Sequence, residues 1–213
     1  MATVAENAMV GSDTLVFVVD DDDSVCRALA RLIRSAGYRV ETFGTARAFL
    51  DRMPADACPA CVVLDIQLPD LNGLELAREL DAALPIIFIT GHGDIAMGVG
   101  AMKAGATDFL PKPVSDTDLL RAIEQALARA VQTRAIRHEL DSLRGRVERL
   151  TPREREVMAL VVTGLLNKQV ASELGTVEQT IKAHRRRVMA KMEATSLAQL
   201  IRIADKVGIS GVA

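Results

Sequence analysis

The chain has 213 residues, 26 basic and 28 acidic, and 49% of it is hydrophobic, enough for one large packed core or two small ones. No apolar run approaches the ~18 residues of a membrane span, and the opening MATVAENAMVGSD lacks the basic-then-apolar order of a secretory leader, so a cytoplasmic protein without membrane contact is expected. The net charge of −2 is unevenly placed: −8 over 1–122 (10 basic, 18 acidic), +2 over 123–150 (6 and 4) and +4 over 151–213 (10 and 6), an acidic part followed by a basic one suited to a polyanion.

Residues 1–13 are small and polar. LVFVVDDDD (15–23) reads as a buried strand stopping in four aspartates. Val25, Leu29, Leu32, Ile33 and Ala36 follow at helical spacing, and Gly37 ends that helix. YRVETF (38–43) alternates as a second strand, and ARAFLDRM is a short helix capped by Thr45 and ended by Pro54. Cys61–Leu64 form a third strand running into Asp65, with Pro69, Asn72 and Gly73 breaking the chain before a helix over 74–83. IIFIT (86–90) is the fourth strand, a helix covers 95–104 up to Gly105, and TDFL (107–110) is the fifth, ending at Pro111-Lys112-Pro113. Strand ends near 20, 43, 65, 90 and 112 describe five β-α units of near-constant size. They predict an α/β doubly wound, flavodoxin-like parallel sheet in the order 2-1-3-4-5.

A helix starting after Ser115-Asp116 runs on without proline to about 150. Ile136, Leu140, Leu143, Val147 and Leu150 keep a 4-3-4-3 spacing, a candidate short coiled coil or a linker helix with an apolar edge. From 151 the pattern changes to short helices near 152–163, 168–174, 177–192 and 197–207, a compact all-α module. Thr151-x-x-Glu154, Thr176-x-x-Gln179 and Ser196-x-x-Gln199 read as capping boxes, Asn167 as a further cap, and Gly164 and Gly175 as helix ends. The domains are thus 14–130, a helical linker 131–150, and 151–208.

Three cysteines, Cys26, Cys58 and Cys61, are too few for a disulfide framework. Cys58-x-x-Cys61 has redox or metal spacing, but there is no second pair, and His92, His138 and His184 lie far off in sequence.

The carboxyl ends of strands one, three, four and five bring Asp20, Asp21, Asp65, Thr90 and Lys112 to one edge. Clustered carboxylates stay ionised when a cation joins them, and hard oxygen donors in an open cluster suit Mg²⁺. A carboxylate can attack phosphorus and hold it as an acyl phosphate, with a lysine neutralising the developing charge and a hydroxyl receiving a phosphoryl oxygen. In the basic module, helix 177–192 carries Ile181, Val188 and Met192 on one face and Gln179, Lys182, Ala183 and Arg186 on the other. Basic and amide side chains on one helix face can enter the major groove of double-stranded DNA.

VVDDD (18–22), LDIQLPD (64–70), TGHGD (90–94) and AMKAGATDFLPKP (101–113) resemble a response-regulator receiver domain. Residues 150–192 resemble the LuxR-type helix-turn-helix of the NarL/FixJ regulators, a likeness that runs on to about 207. The resemblance implies Asp65 as phosphoacceptor. It implies Mg²⁺ held directly by Asp21, Asp65 and the Gln67 carbonyl, and by Asp20 partly through water. Thr90 and Phe109 match the switch pair, and Lys112 the phosphate-contacting lysine. It places Lys182, Ala183 and Arg186 at base-facing positions. Arg185, Arg187 and Lys191 are read as phosphate contacts, and His184 as packing in the bundle or bonding phosphate. TGHGD and AMKAGA point to the FixJ-like branch, from which two departures stand out: residue 67, here Gln67, is often arginine there, and Gly98 and Gly100 fall inside the fourth helix. The resulting expectation is a non-enzymatic transcription regulator, phosphorylated by a sensor histidine kinase and a homodimer when phosphorylated. Its rivals are an aspartyl-phosphate phosphatase, which needs a second acid near Asp65, and a constitutive DNA-binding protein with a vestigial receiver.

Overall fold

The computed structural model describes residues 14–52, 58–80, 84–91 and 106–209. The expected helix over 95–104, with Gly98 and Gly100, lies outside them, as does His92. The chain divides into two compact units, 1–134 and 135–213.

In the first unit five parallel strands lie in the order β2-β1-β3-β4-β5: β1 (Leu15–Val19), β2 (Arg39–Phe43), β3 (Ala60–Asp65), β4 (Ile86–Thr90) and β5 (Asp108–Pro111). Their apolar residues alternate between the two faces, as strand periodicity requires. Phe17, Val19, Val62, Leu64 and Phe88 pack with α2 (Ala46–Arg52) and α3 (Gly73–Glu79) through Phe49, Leu76 and Ala77. Val16, Val18, Val63, Ile87 and Ile89 pack with α1 (Asp23–Ser35) and the start of α4 (Asp116–Glu148) through Leu29, Ile33, Leu119, Ile123 and Leu127. With both faces covered, the inner strands are apolar up to the polar residues Asp65 and Thr90 that end β3 and β4, and each fully buried apolar side chain contributes roughly 1.5–3 kcal/mol. Phe17, Phe43 and Phe49 add an aromatic cluster with ring centroids 5.2–6.1 Å apart.

The register sets the working edge. Val19 pairs with Leu64, Asp65 with Ile89, and Thr90 with Pro111, so Asp20, Asp65, Thr90 and Lys112 all stand where their strands end. The four aspartates after β1 divide the work. Asp20 is buried and Asp21 exposed. Asp22 caps α1 by accepting the N–H groups of Ser24 (2.7 Å) and Val25 (3.4 Å), and Asp23 begins the helix.

The second unit holds the end of α4 with α5 (Pro152–Val161), α6 (Asn167–Glu173), α7 (Glu178–Lys191) and α8 (Leu197–Lys206). Its core joins Val157, Met158, Val161, Val170, Ile181, Val188, Met192, Leu200 and Ile203. The heptad residues 136–150 take two environments. Leu143 and Leu150 are buried in this core and Val147 packs against it, whereas Ile136 is exposed.

The caps partly follow the expected pattern. Thr151 and Glu154 form the reciprocal box: Glu154 N–H donates to Thr151 Oγ1 (3.3 Å) and Thr151 N–H to Glu154 Oε2 (2.9 Å). Thr176 does not cap α7; Val177 stands there and supplies no side-chain bond. The reason is local. Gly175 turns left-handed at φ +60°, and Thr176 donates its N–H to Ala171 O (2.9 Å), so Thr176 is committed to closing α6. Ser196 accepts from Gln199 N–H, but Gln199 Oε1 turns to Thr195 instead of completing a box. Asn167 is the first residue of α6, not its cap.

Candidate functional site

Lys112 reaches from the end of β5 between two carboxylates. Its Nζ donates to Asp20 Oδ2 and to Asp65 Oδ2, both at 2.6 Å. Asp20 is fully buried and Asp65 4% exposed. Their other oxygens accept backbone N–H groups, Asp20 Oδ1 from Asp22 (3.0 Å) and Asp65 Oδ1 from Gln67 (3.1 Å). Both acids are therefore held in one orientation by the turn that follows their own strand. Burial pushes the Asp20 carboxyl above its ordinary value, against the pull of the Lys112 hydrogen bond and the Asp22 N–H. Burial alone would lower Lys112, yet its hydrogen bonds to Asp20 and Asp65 prevail, and its ammonium titrates above the ordinary lysine range.

Asp20, Asp21 and Asp65 each offer a carboxylate oxygen, all within 4.8 Å of one another. Three hard oxygen donors around one opening fit a divalent cation of the Mg²⁺ type. Thr90 is buried at the end of β4, and its carbonyl accepts Lys112 N–H at 2.7 Å. Phe109, on β5 next to Phe88, packs partly buried against the core on that side of the sheet.

Gly73 opens α3, and its N–H donates to Ile66 O at 2.9 Å. A Cβ there would lie 2.4 Å from Asp65 O and 2.9 Å from Ile66 Cα, so only glycine allows this turn behind Asp65. Asp70 caps α2 across 24 positions, accepting from Ala46 N–H (3.1 Å) and Arg47 N–H (3.0 Å). The Arg47 N–H holds the Asp70 carboxyl below its ordinary value. The Asp70 role was not legible from spacing, since it depends on a helix start 24 positions earlier, and Gly73 was legible only as a chain break and not as a close approach to the Asp65 backbone.

On α7, Gln179, Lys182, Arg186 and Arg187 are exposed and Ala183 and Arg185 half-buried. Lys182 pairs with Glu178 one turn back (2.9 Å). Arg185 donates to Asn167 Oδ1 (3.2 Å), tying α7 to the start of α6. Lys191 turns inward: its Nζ donates to Glu154 Oε2 (2.6 Å) and Arg149 O (3.0 Å). Glu154 is 2% exposed, and sequence reasoning saw it only as a capping partner. The Lys191 hydrogen bond, with the Thr151 N–H second, holds its carboxyl below the ordinary range. His184 is half-buried on α7, and its Nδ1 has no hydrogen-bond partner among the described residues. Cys61 is fully buried in β3, where burial holds its thiol protonated, while Cys58 is half-buried and free.

Two family models match the two parts of the chain. "Response regulator receiver domain" covers residues 16–124, and "Bacterial regulatory proteins, luxR family" covers 148–204. The chain is 52% identical over 200 residues to Nodulation protein W of Bradyrhizobium diazoefficiens, spanning 92% of this chain and 87% of that protein. It is 42% identical over 196 residues to the transcriptional regulatory protein FixJ of Rhizobium meliloti, spanning 91% and 96%. Among solved structures, it is similar to the response regulator StyR, with 46% identity and a TM-score of 0.82 over 92% of this chain and 100% of that one. Full-length FixJ from B. japonicum gives 40% identity and a TM-score of 0.55 over 93% and 98%.

Proposed function

The chain belongs to the response regulators that join a receiver domain to a luxR-type DNA-binding domain, and from that membership we propose that phosphorylation of Asp65 is what controls its binding to DNA. It is a phosphorylation-dependent transcriptional regulator. The observation that carries the assignment of Asp65 is the pair of bonds it makes. Lys112 holds one carboxylate oxygen at 2.6 Å and the Gln67 N–H the other at 3.1 Å, at the open end of the sheet.

In the transfer, a carboxylate oxygen of Asp65 forms a bond to phosphorus as the P–N bond of a phosphohistidine on the partner kinase breaks. The donor imidazole leaves with that electron pair, and the product is an acyl phosphate. Lys112 stands where charge accumulates on the phosphoryl oxygens, half-buried and already oriented by its two carboxylate partners. Asp20, Asp21, Asp65 and the Gln67 carbonyl are the groups assigned to a Mg²⁺ ion, which supplies neutralisation of phosphoryl charge when bound. The Thr90 hydroxyl receives a phosphoryl oxygen, and Phe109, beyond it on β5, follows. A groove of mixed lining, with Arg27, Arg31 and Asp116 among Val25, Leu32 and Val114, reaches Lys112 from α1.

Phosphorylation in turn favours a homodimer that sets two copies of α7 in neighbouring major grooves. There Lys182, Ala183 and Arg186, with Gln179, read bases, Arg185 and Arg187 lie nearer phosphates, and Lys191, bonded to Glu154, anchors α7 behind them. Asp65 is modified once per chain, so the protein works as a switch and not by turnover. Its place is the cytoplasm, where DNA is met, and among the described residues no helix is long and apolar enough to cross a membrane.

The test is a small-molecule phosphodonor with intact-mass detection. The natural chain should gain one phosphate and bind DNA more tightly, and Asp65→Asn should do neither while keeping its fold. An acyl phosphate on Asp65→Asn, or equal DNA binding with and without the donor, would refute the proposal.

A further inference from the structure

Val177 and Leu166 are 65% and 69% exposed, the two most exposed large aliphatic side chains among the described residues. Each stands at a helix N-cap, Leu166 ahead of α6 and Val177 ahead of α7, and neither supplies a cap hydrogen bond. Serine, threonine, aspartate or asparagine at such a position would satisfy a free N–H group and stabilise the helix. Valine at 177 forgoes that bond and also leaves an apolar surface in water. At 65% exposure it packs too little against the described residues for burial to account for the choice.

The helix behind Val177 does account for it. From Glu178 to Lys191 it carries Lys182, Arg185, Arg186, Arg187 and Lys191 against the single acid Glu178, a charge pattern complementary to a polyanion. α6 and α7 are joined by a left-handed turn at Gly175 and share a core through Val170, Ala171, Ile181 and Val188, the build of a helix-turn-helix. In that arrangement the N-terminal residues of the second helix meet base edges, while the first helix crosses the backbone. In the major groove the C5-methyl of thymine is the apolar group on display. Resting on the DNA-binding function proposed above, we propose that Val177 reads a thymine through its C5-methyl group, a specificity-determining contact beside those of Lys182, Ala183 and Arg186. Leu166, at the start of the first helix, meets sugar and phosphate and reads no base.

The proposal is tested with Val177→Ser. Serine restores a cap acceptor, so loss of binding cannot come from a weakened helix. Duplexes are selected from a randomised pool by the phosphorylated full-length chain, and each dT of the selected site is then replaced singly by deoxyuridine, which removes only the methyl group. One dT per half-site should show coupling. Its replacement weakens the natural chain about fourfold, the worth of one buried methyl. Val177→Ser, present in both protomers of the dimer, loses about the square of that factor on the parent duplex, and the replacement then costs the variant little more. Leu166→Ser should show no coupling at any dT. Losses that simply multiply for Val177→Ser at every dT, or coupling that appears with Leu166→Ser instead, overturn the inference while leaving the DNA-binding function intact. Selection of no preferred sequence by the phosphorylated chain removes both.

Discussion

Glu154 is an acid inside a basic module, held by the Lys191 ammonium at 2.6 Å and the Thr151 N–H at 2.9 Å. Its carboxyl lies below the ordinary value of 4.5, chiefly through Lys191. A depressed folded value means that the ionised form stabilises the fold. That contribution is complete above the ordinary value and is lost as pH falls through the lowered one. Glu154→Gln should therefore weaken the second unit by about 1 kcal/mol near neutral pH, with the difference shrinking at pH below 4.5. Amide exchange across 152–161 at neutral and acid pH reads this out, and a pH-independent difference would argue against the ion pair. Gly73 is the corresponding residue of the first unit. Gly73→Ala places a methyl against the Asp65 carbonyl and Ile66 Cα, both backbone atoms, so the chain itself must move. The substitution should cost roughly 1–3 kcal/mol and slow phosphorylation of Asp65, because the displaced turn carries the nucleophile. Denaturant unfolding and donor labelling measure the two effects.

Elements were legible where a residue's own neighbours decide them. β3 ends at Asp65 and β4 at Thr90 as the apolar runs indicate, and Gly37 and Gly164 turn left-handed (both φ +91°) at the helix ends expected of them. The edge that gathers Asp20, Asp65 and Lys112 followed from the same spacing. Matters decided by distant groups were not legible. Thr176 is drawn into closing α6, and Asp70 caps a helix 24 positions earlier in the chain. α4 shows the limit best. A 4-3-4-3 apolar pattern describes any helix that buries one stripe, whether against a second copy or against its own domain. Here Leu143 and Leu150 are buried with Val157, Met158 and Val188. Leu143→Ala should thus destabilise the second unit by about 2–5 kcal/mol. Residue 143 also precedes the luxR-family match at 148–204. A fragment starting at 148 should accordingly melt lower than one starting at 135, as thermal unfolding of the two would show.

For the whole molecule, this packing narrows what is left for self-association along α4. Ile136 is 51% exposed and Leu140 half-buried, while Leu143, Val147 and Leu150 are engaged at home. Ile136→Asp with Leu140→Asp tests that remainder without entering the core proper. If α4 contributes to the dimer, the phosphorylated double variant should sediment toward monomer, and unchanged association would assign the contact elsewhere. The inward turn of Lys191 has a consequence of another kind. A cation that neutralises a phosphate releases the counterions condensed on DNA, and the logarithm of affinity falls with the logarithm of salt by about 0.9 for each such contact. Lys191 already has Glu154 as its anion before DNA arrives, whereas Arg187 is exposed. Arg187→Met should therefore flatten the salt dependence by about one for each protomer on the DNA, about two for the dimer. Lys191→Met should leave that slope nearly unchanged and lower affinity only through the looser anchoring of α7. Titrations of the phosphorylated chain across a series of salt concentrations separate the two, because a charge already cancelled inside the protein has few ions to give back to the solvent.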